Sequence, residues 1–281
     1  MSSLGSKVIL PRQKLQLARF ALMQKLGRLR FDPHDFEVTR ITVAIPTLKP
    51  IFDNYRIVHI SDIHLGQWLS SARLDGVVGI VNALEADVVA ITGDFVSFVV
   101  DPFVDELGSA LRNLRPRDAT LAVLGNHDHW MDVGKVRKSL QRSGVIELKN
   151  DVYTVIRKNA LLHFAGVDDV TVREDHLDQV LKKLPLVGPA VLLVHEPDFA
   201  DVSSATGRFA LQLSGHSHGG QIVLPVVGPP IRGSYCKKYP LGRYQVGDMI
   251  VYTNRGLGAN TFWIRINCPP EITVVTLKSM S

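Results

Sequence analysis

One junction recurs along this chain and limits what it can fold into. A short apolar run, rich in β-branched residues, gives way at its C-terminal end to Asp, Asn or His, and it does so five times. RIVHIS runs into Asp62 and His64, DVVAIT into Gly93 and Asp94, and LAVLG into Asn126, His127 and Asp128. PAVLLV runs into His195, and RFALQLS into Gly215, His216, Ser217 and His218. Runs of this length and make-up read as buried strands. Between the first three lie LDGVVGIVNALEA and FVDELGSALRNL, whose apolar residues have helical spacing. Strands alternating with helices imply βαβ units and a largely parallel sheet, with ligands bound at the C-terminal strand ends.

Buried carboxylates and imidazoles cost free energy unless something satisfies them. Asp62, His64, Asp94, Asn126, His195, His216 and His218 facing one another call for a cation. The mixed nitrogen and oxygen set suits Mn2+, Fe2+/Fe3+ or Zn2+, with Mn2+ favoured. It holds more ligands than one tetrahedral ion takes, so two ions are the economical reading. Two ions about 3.5–4 Å apart can clamp an in-line phosphoryl displacement. No thiolate joins the set, which argues against a structural zinc site. Cys236 and Cys268 are far apart and outside any CxxC spacing. They read as two reduced thiols in a reducing compartment.

The five motifs, in order and rough spacing, resemble the calcineurin-like metallophosphoesterases over about residues 51 to 278. The resemblance implies an α/β fold: a four-layer αββα sandwich with two mixed β-sheets and the metal site at the C-terminal edges of the strands. It makes Asp62, His64 and His218 ligands of a first metal, Asn126, His195 and His216 ligands of a second, and Asp94 the carboxylate between them. A hydroxide shared by the metals is then the nucleophile. His127, which is not a ligand, stabilises the transition state or protonates the leaving oxygen. One position departs from the pattern. Many members continue as Gly-Asp-x-x-Asp, whose last Asp orients the catalytic histidine, whereas GDFVS places Ser97 there. A hydroxyl cannot raise an imidazole pKa as a carboxylate does, which leaves Asp128 or Asp101 as substitutes.

The remaining segments fill in the organisation. EVTRITVAI alternates like an edge strand. After His195, RFALQLSG, IVLPVVGPP, MIVYTN, FWIRIN and ITVVTLK read as closely spaced strands with more antiparallel pairing. TNRGLGANTFWIRINCPPE, together with GHSHGGQ, resembles a subgroup with membrane-associated members, including pyrophosphatases of UDP-2,3-diacylglucosamine. Arg255 is a candidate phosphate contact or a surface ion pair, and His129 a cleft residue or simple packing. Phe262, Trp263 and Ile264 either cover a lipid chain or pack in the sandwich.

Residues 1 to 31 hold seven basic residues and no acid, against a net charge of +5 for the chain, so the remainder is net −2. The division expected is therefore a basic amphipathic helix in 1–31 and one catalytic domain in 32–281. Across residues 11–30, Leu15, Ala18, Leu22, Leu26 and Leu29 form an apolar row flanked by Arg and Lys. Such a helix lies on an anionic membrane or packs on protein. The near-neutral body argues against nucleic acid. No run is long enough to span a bilayer, and no signal peptide is evident, so the expected place is the cytoplasmic face of the inner membrane. The substrate expected is a phosphodiester or pyrophosphate, plausibly lipid-linked. The rivals are a catalytically weak metal-binding scaffold and a broad-specificity or cyclic-nucleotide phosphodiesterase.

Overall fold

The computed structural model describes residues 11–226, 228–229, 233–260 and 263–280. Twelve strands form two six-stranded sheets. The first runs β1 (Glu37–Ile45), β12 (Glu271–Ser279), β2 (Tyr55–Ile60), β3 (Val88–Thr92), β4 (Ala119–Val123) and β5 (Ile146–Glu147). The second runs β10 (Gly242–Val246), β11 (Met249–Thr253), β9 (Leu211–Ser214), β8 (Ala190–Leu193), β7 (Ala160–Gly166) and β6 (Asp151–Arg157).

Alternation along the strands sorts the core into layers. Ile57, Val88, Ala90, Leu121 and Val123 of the first sheet meet Leu162, Phe164, Val191, Leu193, Leu211 and Leu213 of the second. The opposite faces carry Val58, Ile60, Val89, Ile91 and Ala122, which pack on α2 (Ser71–Ala83), α3 (Phe103–Leu111) and α5 (Val133–Ser143). On the far side, Ala165, Leu192 and Val251 pack against α6 (Leu177–Lys183) and α7 (Ala200–Ser204). The order helix, sheet, sheet, helix is the four-layer sandwich expected. Local signals set the helix ends: the Ser70 hydroxyl caps α2 by accepting from Arg73 N–H, and Asp132 caps α5 by accepting from Lys135 N–H.

The later half adds antiparallel pairing as expected, β10 with β11 and β12 with β2, although β9 lies parallel to both β8 and β11. Two strand expectations need correction. The described part of IVLPVVGPP makes only isolated bridges, at Ile222 and Leu224, because Pro225 and Pro229 supply no ladder donor. The described part of FWIRIN is likewise no strand. Trp263 and Arg265 are held by their side chains, Trp263 Nε1 donating to Gln67 Oε1 and Arg265 to loop carbonyls. Phe262 lies outside the described residues. β1 is an edge strand, as its alternation predicts, and pairs with β12 alone.

α1 (Pro11–Lys25) stops short of Arg30, and Gly27 follows it in the left-handed region, φ 66°. Its packing differs from the expected row: Leu17 and Phe20 face the core, and of the row only Leu29 is buried. Gln16 is buried and donates to Gly66 O, Gln13 donates to Phe98 O, and Phe20 meets Phe103 edge-on at 5.0 Å. The row Leu15, Leu22 and Leu26 instead points to solvent, 70%, 54% and 60% exposed.

His59 sits buried inside the first sheet, its Nε2 2.8 Å from Thr92 Oγ1. Burial, opposed by Glu271, pushes its pKa down to about 4. The unfolded chain, with an ordinary histidine near ~6.5, therefore binds this proton more tightly than the folded one. The contribution of neutral His59 to stability is fully present above that value and is lost as pH falls toward 4. The integrated effect is roughly 3 kcal/mol. Denaturant midpoints of the metal-free protein are expected to fall across this window and to fall less steeply for His59→Gln. An identical slope in the variant contradicts the assignment.

Candidate metal centre

The loops that follow β2 and β3 run side by side beyond the end of the sheet. Asp62 N–H donates to Gly93 O, His64 N–H to Asp94 O and Leu65 N–H to Phe95 O. This extension carries Asp62, His64 and Asp94 to one place. The backbone is unusual there. Asp62, His64, Asp94, His216 and His218 have φ of 50°, 45°, 56°, 68° and 51°, in the left-handed region. Such conformations cost non-glycine residues about 1–3 kcal/mol each and cluster at functional sites.

One atom each from Asp62, His64, Asp94 and His218 falls within 4.8 Å of the others. His64 Nε2 lies 3.0 Å from His218 Nε2 and 3.4 Å from Asp94 Oδ2, and His218 Nε2 lies 3.3 Å from Asp62 Oδ1. On the other side of Asp94, His195 Nε2 is 3.4 Å from Oδ2, and the His216 ring lies 4.9 Å from that of His195. Asn126 Oδ1, His195 Nε2 and His127 Nδ1 are buried and make no hydrogen bond. Orphaned buried acceptors beside two carboxylates are the arrangement a divalent cation satisfies.

Outer partners fix which ring nitrogen faces inward. His64 Nδ1 meets Ser97 Oγ at 2.6 Å, His195 Nδ1 meets Thr92 O at 2.6 Å, and His216 Nε2 meets Ser234 O at 2.8 Å. With a carbonyl beyond it, each of the last two rings donates outward and turns its lone pair toward the site. The protein field is consistent with this grouping. Burial would raise the pKa of Asp94, but His195 and His127 outweigh it and hold the carboxylate well below its usual range. Burial would lower that of His195, but Asp94 outweighs it and holds the imidazole well above its ordinary value, so a cation binding at Nε2 would displace a proton from it. Burial, then Asp94, pushes Asp128 up to about 7.

His127 opens out from α4 (Asn126–Trp130), its N–H donating to Asp94 Oδ1 at 2.9 Å. Its ring sits among His64, Phe98 and Trp130, at centroid distances of 4.8, 5.3 and 5.0 Å. Burial, opposed by Asp94, lowers its pKa to about 4. Ser97 does not reach this ring, because its hydroxyl is bonded to His64. Neither expected substitute reaches it. Asp128 accepts from Gly125, Phe95 and Val96 N–H, and Asp101 pairs with Lys135.

Two residues read as substrate contacts are otherwise engaged. The Arg255 guanidinium donates to Glu271 at 2.9 Å, to Glu37 at 3.1 Å and to Thr39 at 3.4 Å. The ion-pair alternative is the one its geometry supports. His129 Nε2 lies 2.8 Å from Asp168 Oδ1, and Arg137 holds the other oxygen of Asp168 at 3.0 Å.

Sequence reasoning missed Arg265. Its guanidinium donates to the carbonyls of Arg255, Gly256, Gly258 and Cys268, at 2.6–3.2 Å, and approaches His218 Nδ1 at 3.5 Å. Burial lowers its pKa to about 10. It braces the loop whose Leu257 and Gly258 N–H groups donate to Ser61 O and Asp62 O. A charged residue inside the apolar run WIRI was the available signal.

Close approach of the strand ends depends on Gly215. A Cβ there would lie 1.8 Å from Ser61 Oγ and 2.4 Å from Asp62 Oδ2. Gly215→Ala is expected to destabilise the protein by about 1–3 kcal/mol and to weaken Mn2+ binding in calorimetric titration. Wild-type affinity in that variant would contradict this account of the turn.

A family model for calcineurin-like phosphoesterases matches residues 55–220. The uncharacterized metallophosphoesterase YkuE of Bacillus subtilis is 35% identical over 254 residues, covering 88% of this chain and 87% of that protein. The phosphodiesterase YaeI of Escherichia coli is 26% identical over 267 residues, covering 92% and 95%. Among solved structures, Haemophilus influenzae NAD nucleotidase aligns with a TM-score of 0.47 at 15% identity, covering 72% of this chain and 50% of that one. With a family model spanning more than half its length and a near-full-length relative at 35% identity, this chain belongs to the calcineurin-like metallophosphoesterases, hydrolases acting on phosphoester bonds.

Proposed function

We propose that the protein hydrolyses a phosphodiester or pyrophosphate bond using two divalent metal ions, with Mn2+ favoured. The carrying observation is the pair of donor groups on either side of Asp94. Asp62, His64 and His218 would hold one ion; Asn126, His195 and His216 would hold the other; and the Asp94 carboxylate would serve both. Ions bound there would supply Lewis-acid activation of water and neutralise charge on the phosphoryl oxygens. The chain's own residues do the rest. Ser97, Thr92 and Ser234 keep the liganding rings in register. His127, beside the donors and without a role among them, protonates the leaving oxygen or stabilises the charge that develops on it. The phosphodiesterase name of the relative YaeI agrees with this bond class.

Asp94→Asn and His127→Ala are each expected to lower kcat on bis-p-nitrophenyl phosphate by about 100-fold or more. Metal content should fall in the first and stay wild type in the second. Full activity in either variant, with metal content measured, overturns the reading. Metal-loaded protein that hydrolyses no phosphoester favours the scaffold alternative instead.

The finer reading is an amphipathic, lipid-linked substrate met at an anionic membrane surface, with residues 1–31 as a docking appendage to the catalytic unit 32–281. UDP-2,3-diacylglucosamine is one candidate of this chemistry, and the cytoplasmic face of the inner membrane is the proposed place. The support is the outward row Leu15, Leu22 and Leu26, with exposed Lys14 and Lys25 beside it and no acid on the helix. Apolar area flanked by cations complements anionic headgroups. No helix among the described residues is long and apolar enough to cross a membrane. Replacing all three leucines by Asp should abolish flotation with phosphatidylglycerol vesicles while leaving hydrolysis of the soluble diester within about twofold, since surface changes of this kind perturb the fold little. Unchanged flotation rejects the membrane assignment.

A further inference from the structure

Ser97 turns to His64 and does not reach the His127 ring. Asp128 and Asp101 are committed elsewhere. Yet an acid catalyst works only if its ring is held within hydrogen-bond reach of the leaving oxygen, about 2.6–3.2 Å between heavy atoms, and in the right orientation. The Asn260 side-chain amide supplies a polar hold 3.3 Å from His127 Nε2. With its oxygen turned to the ring it accepts from Nε2–H of the protonated imidazole, and Nδ1–H, which has no other partner, is the proton offered to the leaving oxygen. Asn260 is anchored in turn, because its N–H donates to Gln221 Oε1 at 2.6 Å. Gln221 closes the turn that carries His216 and His218: its N–H donates to His218 O at 3.0 Å, and its amide donates to Ile264 O at 3.3 Å.

From this geometry we propose that Asn260 is the positioning residue of His127 and that Gln221 sets the place of Asn260. The proposal rests on the role given to His127 above. The amide acts through orientation, because a neutral group cannot charge the imidazole as a carboxylate would. Phe98 and Trp130 confine the ring by packing, and Asn260 fixes its rotation about χ2. In the reaction, the phosphorus gains an oxygen from water. The bond to the leaving oxygen breaks with its electron pair, and that oxygen takes the proton from His127. Water returns a proton to the ring, so the cycle balances. The arrangement also gives the GGQ end of GHSHGGQ and the AN end of RGLGAN a task in the reaction, beyond turning the chain.

Leaving-group dependence tests this, because only a poor leaving group needs the proton. Wild type, His127→Ala, Asn260→Ala, Asn260→Asp and the Asn260→Ala/His127→Ala pair would be assayed, as Mn2+-loaded full-length protein, on p-nitrophenyl and phenyl esters of one phosphonate. Asn260→Ala should lower kcat on the phenyl ester about 10–100-fold, with KM and metal content near wild type, and should touch the p-nitrophenyl ester far less. Asn260→Asp should recover most of the loss. The paired variant should be no slower than His127→Ala alone. Equal losses on both esters, or losses that multiply in the paired variant, overturn the proposal while leaving His127 as the acid. A His127→Ala variant with no leaving-group dependence overturns the acid role and this proposal together.

Discussion

The structure turns on one buried carboxylate. Asp94 is almost fully excluded from solvent, where an unpaired charge would be prohibitive. It is tolerated because both oxygens are engaged: the His64 and His195 imidazoles each lie 3.4 Å from Oδ2, while the backbone N–H of His127 donates to Oδ1. Those residues come from three different strand ends. Satisfying Asp94 therefore requires β2, β4 and β8 to terminate at one point, and that requirement fixes how the two sheets face each other. Asp128 adds a second tie, bonding the loop after β3 to the start of α4.

Convergence this tight leaves little room for side chains or ordinary backbone. Five of the converging residues sit at positive φ, and a Cβ on Gly93 would stand 2.7 Å from His195 Nδ1. The three apolar layers supply the stability that keeps such geometry in place. Here local strain and global packing trade against each other. The central strands are buried, and the polar turns at their ends are held by the Ser97 and Arg265 side chains and the Thr92 carbonyl.

The sequence made some of this plain and hid the rest, for physical reasons. β2, β3 and β4 were legible because a strand buried on both faces must be apolar throughout, and the polar residue after it then stands out. The hairpin of β6 and β7 passed unassigned because one face is wet and the residues are mixed: DVYTVIR carries no continuous apolar signal. IVLPVVGPP and FWIRIN misled in the opposite direction. They are apolar enough for strands, but Pro225 and Pro229 deny the ladder its donors, and Arg265 folds inward to loop carbonyls. The liganding residues were visible as types at strand ends. Their outer partners were not, since Thr92 and Ser234 contribute backbone carbonyls that any residue could provide. Arg255 shows the limit of reading charge as function. An arginine in a glycine-rich turn suggested phosphate, while Glu271 and Glu37, remote in sequence, had already taken it.

The N-terminal helix packs Leu17 and Phe20 on the core, and polar groups on the same side reach the surroundings of His127. Gln13 donates to the carbonyl of Phe98, whose ring meets His127, and the Arg19 guanidinium lies over the Trp263 ring at 4.4 Å. The inner side of the helix sets Gln13 and Gln16 beside Leu17 and Phe20, which pack on the core, and leaves Leu15, Leu22 and Leu26 exposed. The bond from Gln13 seats the helix against the segment that holds Phe98, so a change in how the helix packs acts on the ring that confines His127.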